Sequence, residues 1–210
     1  MELVRGQRHE QPAELVGIVV NRKNRLPLDD FLAVYAGNLG VKQGLDVLID
    51  AAQLLKQKRV RIVICGDGAQ REVLAEQIKT LRLPNVTMLP LQNGETYTAL
   101  LADADLCFIT QQSGSGNSFF PSKLLGLLAQ SKPVITVADP ESELAEAVAE
   151  GSFGMNIPPG RPEEVAAVLD AIAPDAERLR QWGIAGRKYV QQFEKNAVFE
   201  GFIEKLKRIA

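Results

Sequence analysis

Two lysines, Lys42 and Lys123, stand beside the chain's two richest stretches of small residues. The first stretch runs Gly37-Asn38-Leu39-Gly40-Val41-Lys42-Gln43-Gly44. The second runs Gln111-Gln112-Ser113-Gly114-Ser115-Gly116-Asn117-Ser118-Phe119-Phe120 and leads into Pro121-Ser122-Lys123. Small residues let the backbone approach an anion closely. Pro121 fits the first turn of a helix, whose unsatisfied N–H groups and positive dipole end favour phosphate. A lysine adds a point charge against a diphosphate. Either lysine alone reads equally well as a solvated cation at a helix start, and a Gly/Ser stretch alone as a surface connection. Brought to one place, the two stretches and two lysines describe a nucleotide diphosphate site. Ser113, Ser115, Asn117 and Ser118 could add hydroxyl and amide hydrogen bonds to sugar or phosphate.

Other chemistries are excluded by composition. The single histidine, His9, rules out a multi-histidine metal site, and a Ser-His-Asp or Cys-His arrangement would have to rest on that one ring. Cys65 and Cys107 match no zinc or redox spacing, and each lies in an apolar run, as expected of buried thiols in a reducing cytosol. Lys plus Arg is 24 against 26 for Asp plus Glu, a net charge of −2, which argues against binding nucleic acid by bulk positive charge. At 210 residues, 46% hydrophobic and 24% charged, one large globular domain is expected. No run approaches the roughly 20 apolar residues that span a bilayer, and the N-terminus does not read as a signal peptide. The expectation is a soluble, cytoplasmic chain with at most peripheral membrane contact.

The elements that must position the lysines follow from periodicity. Short apolar runs predict strands over residues 31–37, 60–65, 85–89, 106–110, 133–138 and 154–157. Amphipathic stretches between them predict helices over 45–56, 70–81, 95–102, 122–129, 141–150 and 162–172, with helices alone after Pro174, over 176–192 and 197–209. Near-continuous apolar strands alternating with helices mean a parallel sheet covered on both faces. Eight βα units for a barrel are not available, so the fold class is a doubly wound, Rossmann-like α/β sheet of about six strands. Residues 1–30 read as a polar lead-in, 31–192 as the domain and 193–210 as a terminal helix. Ligands of such sheets bind beyond the C-terminal strand ends. That rule selects the two stretches above, together with Gly66-Asp67-Gly68, Pro90-Leu91-Gln92-Asn93-Gly94 and Asp139-Pro140-Glu141-Ser142-Glu143. Two look-alikes are set aside. Gly66-Asp67-Gly68 lacks the third glycine of a dinucleotide fingerprint. Asp103-Ala104-Asp105 resembles a metal-binding D-x-D but precedes a strand, at the wrong sheet edge, and reads as a turn.

YAGNLGVKQGLDVLIDAA, VRIVICGDG, NVTMLPLQ, LLADADLCFI, PSKLLGLLAQSKPVI and GSFGMNIPPG, in this order, resemble the C-terminal half of GT-B glycosyltransferases of the family-4 type. The likeness covers residues 31–205, and the subgroup it resembles is the exopolysaccharide enzymes related to colanic-acid glycosyltransferases. The resemblance implies a nucleotide-sugar donor domain, UDP- or GDP-linked, in a retaining transferase acting on a lipid-linked or polysaccharide acceptor. It implies that Gly37, Gly40 and Lys42 face the diphosphate, Lys42 with a catalytic share. Leu89, Pro90, Leu91 and Gln92 would frame the base, and the helix beginning near Pro121 and Ser122 would point at the diphosphate. Asn38, Gly66, Asp67, Gly68, Ser113, Gly114, Ser118 and Lys123 complete the expected donor site. No tightly bound metal or other cofactor is expected. Many relatives carry E-x7-E here, but Ser118 and Gly126 occupy those positions, so a ribose-binding carboxylate does not carry over. Asn38 stands where an arginine is usual. The acceptor-binding N-terminal half is expected to be a separate partner, to which the apolar face of Val198, Phe199, Phe202, Ile203 and Leu206 could dock. The alternatives are a non-catalytic nucleotide-sugar-binding module and part of a sugar-nucleotide epimerase.

Overall fold

The computed structural model describes residues 30–115 and 122–193. Residues 1–29 of the lead-in, Asn117, Ser118, Pro121 and the expected helix over 197–209 lie outside the described residues. Six parallel strands form one sheet: β1 (Phe31–Asn38), β2 (Val60–Asp67), β3 (Val86–Leu89), β4 (Leu106–Thr110), β5 (Val134–Val137) and β6 (Gly154–Ile157). Their order is β3-β2-β1-β4-β5-β6. The chain builds outward from β1 to β3, then returns to lay β4 on the other side of β1. The β1/β4 boundary is therefore the topological switch point, where the crevice of a doubly wound sheet opens.

Seven α-helices of the described residues cover the sheet: α1 (Asp46–Leu54), α2 (Arg71–Leu81), α3 (Gly94–Asp103), α4 (Ser122–Ala129), α5 (Glu143–Gly151), α6 (Pro162–Ile172) and α7 (Ala176–Gln191). Side chains alternate across each strand. Ala33, Tyr35, Ile62, Ile64, Leu106 and Phe108 pack on one face against Leu48, Ile49, Leu74, Val165 and Leu169 from α1, α2 and α6. Leu32, Val34, Val63, Cys107 and Ile109 pack on the other against Leu100, Leu124, Leu128, Leu144 and Val148 from α3, α4 and α5. Each such side chain contributes roughly 1.5–3 kcal/mol on burial. Helix α7 closes the domain, with Trp182 against the first cluster and Tyr189 against the second.

Side-chain caps set several helix starts. Asn93 accepts from Thr96 N–H before α3, Ser142 from Ala145 N–H before α5, and Asp175 from Arg178 N–H before α7. The Ser142 cap begins α5 at Glu143, later than periodicity predicts. At the other end of α1 the Asp170 carboxylate accepts the N–H groups of Lys56 and Gln57. These residues thus leave the helix early.

One expectation is corrected. The first two strands were expected to end at Gly37 and Cys65, with Asn38, Gly66 and Asp67 in loops, yet Gly37 pairs with Gly66 and Asn38 with Asp67 as the last rungs of β1 and β2. The reason is close approach: a Cβ on Gly66 would sit 1.7 Å from the Gly37 carbonyl oxygen. Glycine here lets the ladder continue to its end instead of breaking it.

Candidate functional site

The site begins where β1 ends. The Tyr35 hydroxyl donates to the Asn38 carbonyl at 2.7 Å, and Leu39 N–H donates to the Asp67 carbonyl at 2.8 Å. Gly40 N–H donates to Gln43 Oε1 across a 3-10 turn, Val41–Gln43, and Gly44 leaves that turn in the left-handed conformation, φ 56°. Lys42 rides on this turn with an exposed side chain.

The loop after β4 is tied to this turn. Gln112 N–H donates to the Lys42 carbonyl at 2.8 Å, and the Ser115 hydroxyl reaches the same oxygen at 3.4 Å. From the other side Asp139, just beyond β5, accepts Ser113 O–H at 2.8 Å and Gly114 N–H at 2.7 Å. The ends of β1, β4 and β5 are thereby joined into one rim.

Helix α4 brings Lys123 to that rim. Its ammonium lies 5.6 Å from the centre of the Tyr35 ring, close enough for a cation–π contact. It also occupies the space a Gly37 side chain would need, 1.7 Å from an ideal Cβ. Partial desolvation pushes the Lys123 ammonium below its usual titration range. Burial likewise raises the Tyr35 phenol, which stays protonated.

The β2–β3 side of the crevice is organised by Arg71, at the first position of α2. It donates to the carbonyls of Gly66 at 2.7 Å and Leu89 at 3.3 Å. The Pro90 carbonyl accepts from Gln92 at 2.7 Å, while Leu91 is 68% exposed. Asp67 turns back to accept the Gly68 N–H. A Cβ on Gly68 would lie 2.6 Å from the Leu39 carbonyl oxygen, so this glycine also serves close packing.

Most of the expected donor-site residues that are described thus gather at one sheet edge. Two contributors were not singled out from sequence. Arg71 has a readable signal, a cation in the first turn of a helix, where the dipole disfavours it. Asp139 was legible only as one residue of the fifth loop, because its role depends on a contact with the fourth. Gly126 is exposed in α4, and a Cβ there would meet nothing within 4 Å.

Other candidates fall away from the rim. Asp105 accepts Leu32 N–H at 2.7 Å, at the opposite sheet edge, which makes Asp103-Ala104-Asp105 a structural turn. Burial pushes the Cys65 thiol up to about 11 and Cys107 up to about 12, so neither is a ready nucleophile. Among the described residues no cluster of three or more His, Cys, Asp or Glu could hold a metal ion, and no helix is long and apolar enough to cross a membrane. A groove of about 700 Å³ between α1 and α2 carries Asp50, Glu72 and Glu76, the wrong charge for phosphate.

Residues 20–189 match the family described as "Glycosyl transferases group 1". The chain belongs to this family. Within glycosyl transferases group 1 it is 29% identical over 188 residues to the putative colanic acid biosynthesis glycosyl transferase WcaI of Escherichia coli (strain K12), covering 88% of this chain and 46% of that protein. It is 29% identical over 143 residues to the probable glycosyltransferase WbjE of Pseudomonas aeruginosa, covering 66% of this chain and 34% of that one. The chain thus spans less than half the length of these curated relatives. The fold is shared with Anabaena Alr3699/HepE solved in complex with UDP, at a TM-score of 0.73 and 20% identity over 94% of this chain and 54% of that one. It is shared too with WaaG, a glycosyltransferase involved in lipopolysaccharide biosynthesis, at 0.67 and 20% identity over 87% and 48%. The architecture is Rossmann-like, of the GT-B type.

Proposed function

We propose that this chain is the donor-binding domain of a retaining glycosyltransferase that moves a sugar from UDP- or GDP-sugar to a lipid-linked or polysaccharide acceptor. The observation that carries the reading is the rim at the β1/β4 switch point, where two loops of small residues are hydrogen-bonded together between two lysines. Family membership supports transfer of a glycosyl group. The HepE structure holding UDP supports a nucleotide diphosphate, and the colanic acid relative supports an exopolysaccharide acceptor. The domain's share of the chemistry is electrostatic. Lysine charge and backbone N–H groups stabilise the diphosphate as it departs, and the loss of one such donor in comparable sites costs on the order of 10²–10³ in rate. In this reading lysine, not a resident metal ion, supplies the countercharge. Acceptor groups come from the other half of the enzyme. The cytoplasmic face of a membrane is the setting that a lipid-linked acceptor requires.

Thermal melting with nucleotides tests this. UDP or GDP at about 100 times its Kd should stabilise the chain by about 2.7 kcal/mol, while NAD+ should leave it unchanged. Failure of both diphosphates to raise the Tm at millimolar concentration would overturn the donor-site reading.

A further inference from the structure

We propose that the groove between α1 and α2 is the docking site of the chain's own lead-in, which lays residues 15–25 along it. This inference is independent of the donor-site reading and stands whether or not the rim binds a nucleotide.

The groove holds about 700 Å³ and combines apolar surface with acid. Val73 and Leu81 line it, both exposed, and a smaller cavity of about 150 Å³ shares Val73 and adds the exposed Val41 beside Gly40. Exposed apolar residues are common singly, but three along one furrow are a surface that a partner can cover. Asp50 of α1 and Glu72 and Glu76 of α2 also line it, and none of its described lining residues is basic. The Asp50 carboxylate accepts from the Gln77 amide at 3.2 Å. Partial burial, with Asp46 and Glu163 nearby, holds that carboxyl above its ordinary range. An occupant that suits this furrow is apolar and carries several cations.

Residues 15–25 have that composition: an apolar run, Leu15-Val16-Gly17-Ile18-Val19-Val20, then Arg22, Lys23 and Arg25, with no acid among them. The point where the lead-in joins the domain brings it here. Arg61 donates through Nε to the buried Asp30 carboxylate and through a terminal nitrogen to the Pro84 carbonyl at 3.3 Å. Pro84 follows α2 closely, so the lead-in enters beside the Leu81 end of the groove. Arg25 and Arg22 precede Asp30 by five and eight residues, an extended reach of roughly 17–26 Å. Helix α2, at 11 residues, is about 16 Å long. The order matches as well: the cations come level with Glu76 and Glu72, and the apolar run follows at Val73 and Val41. Exposed ion pairs contribute little alone, so apolar cover carries the contact and charge sets its register. Tethering favours this segment over a free partner, because it gives an effective concentration in the millimolar range.

Zero-length carbodiimide cross-linking of the 210-residue chain, mapped by mass spectrometry, tests the docking. Lys23 should condense with Glu72 or Glu76 in the monomer fraction, and the Lys79–Glu76 pair at 3.5 Å is an internal control. K23E should abolish that link, and K23E/E72K, which exchanges amine and carboxylate, should restore it. V73Q should cut the Lys23 yield about threefold and lower Tm by about 2–4 °C. I184Q, at a matched apolar position on α7 (55% exposed against 58% for Val73), should change neither, since glutamine is a good helix former on an uncovered face. Mixed light and isotope-labelled chains identify the occupant. A Lys23 link found only between light and heavy chains would give the groove to a second copy and overturn the proposal. A reacting control pair with no Lys23 link to Asp50, Glu72 or Glu76 would overturn it too, as would equal behaviour of V73Q and I184Q.

Discussion

The two edges of the sheet differ in what their polar residues leave open. At the N-terminal edge, charged and amide groups bind the protein's own backbone or one another. Asp105 accepts Leu32 N–H, Asp170 accepts Lys56 and Gln57 N–H, Asn85 donates to the Ala52 carbonyl, and Arg61 joins Asp30 to the Pro84 carbonyl. At the C-terminal edge, glycines bring the backbone close, and among the described residues no carboxylate pairs with Lys123 and the side-chain oxygens of Thr110 and Gln111 have no partner. Satisfied polar groups mark where the fold is locked. On the proposed donor-site reading, the open ones at the switch point are where the ligand would bind.

Breaking each edge should therefore give a different loss. D105A leaves the Leu32 N–H without its side-chain acceptor, and the expected cost is about 2 kcal/mol of stability with nucleotide affinity unchanged. For a chain of this size that is a fall of several degrees in Tm, measurable in parallel with a UDP titration. A fall in UDP affinity without a fall in Tm would blur the distinction between edges.

D139A acts on the other edge and should have the smaller effect. The Ser113 and Gly114 bonds it removes are solvent-exposed, so Tm should stay within about 1 °C. The loop after β4 would lose its anchor, and UDP affinity should fall roughly three- to tenfold. Unchanged affinity would mean that the loop is held by Gln112 and Ser115 alone.

The parts of this molecule legible in sequence are those governed by local pattern. VRIVIC and LCFIT could only be buried strands, and six such runs between amphipathic stretches lead directly to the doubly wound sheet. The lysines were legible as candidates because glycine and serine surround them. The contact of Lys123 with Gly37 was not, because it joins residues far apart in the chain. Gly66 read as loop because glycine usually ends a strand. Here the ladder continues, because Gly66 lacks the Cβ that would collide with the Gly37 carbonyl. Asp139 and Arg71 act on backbone groups of other loops, and no spacing rule reports such contacts.

Hydrogen exchange on the 210-residue chain, with and without saturating UDP, tests the contrast between edges most directly. The account predicts slower exchange at the amides of Leu39, Gly40, Gln112 and Gly114, with Leu32, Lys56 and Gln57 unchanged. Protection confined to the N-terminal edge, or to the acidic groove between α1 and α2, would contradict it.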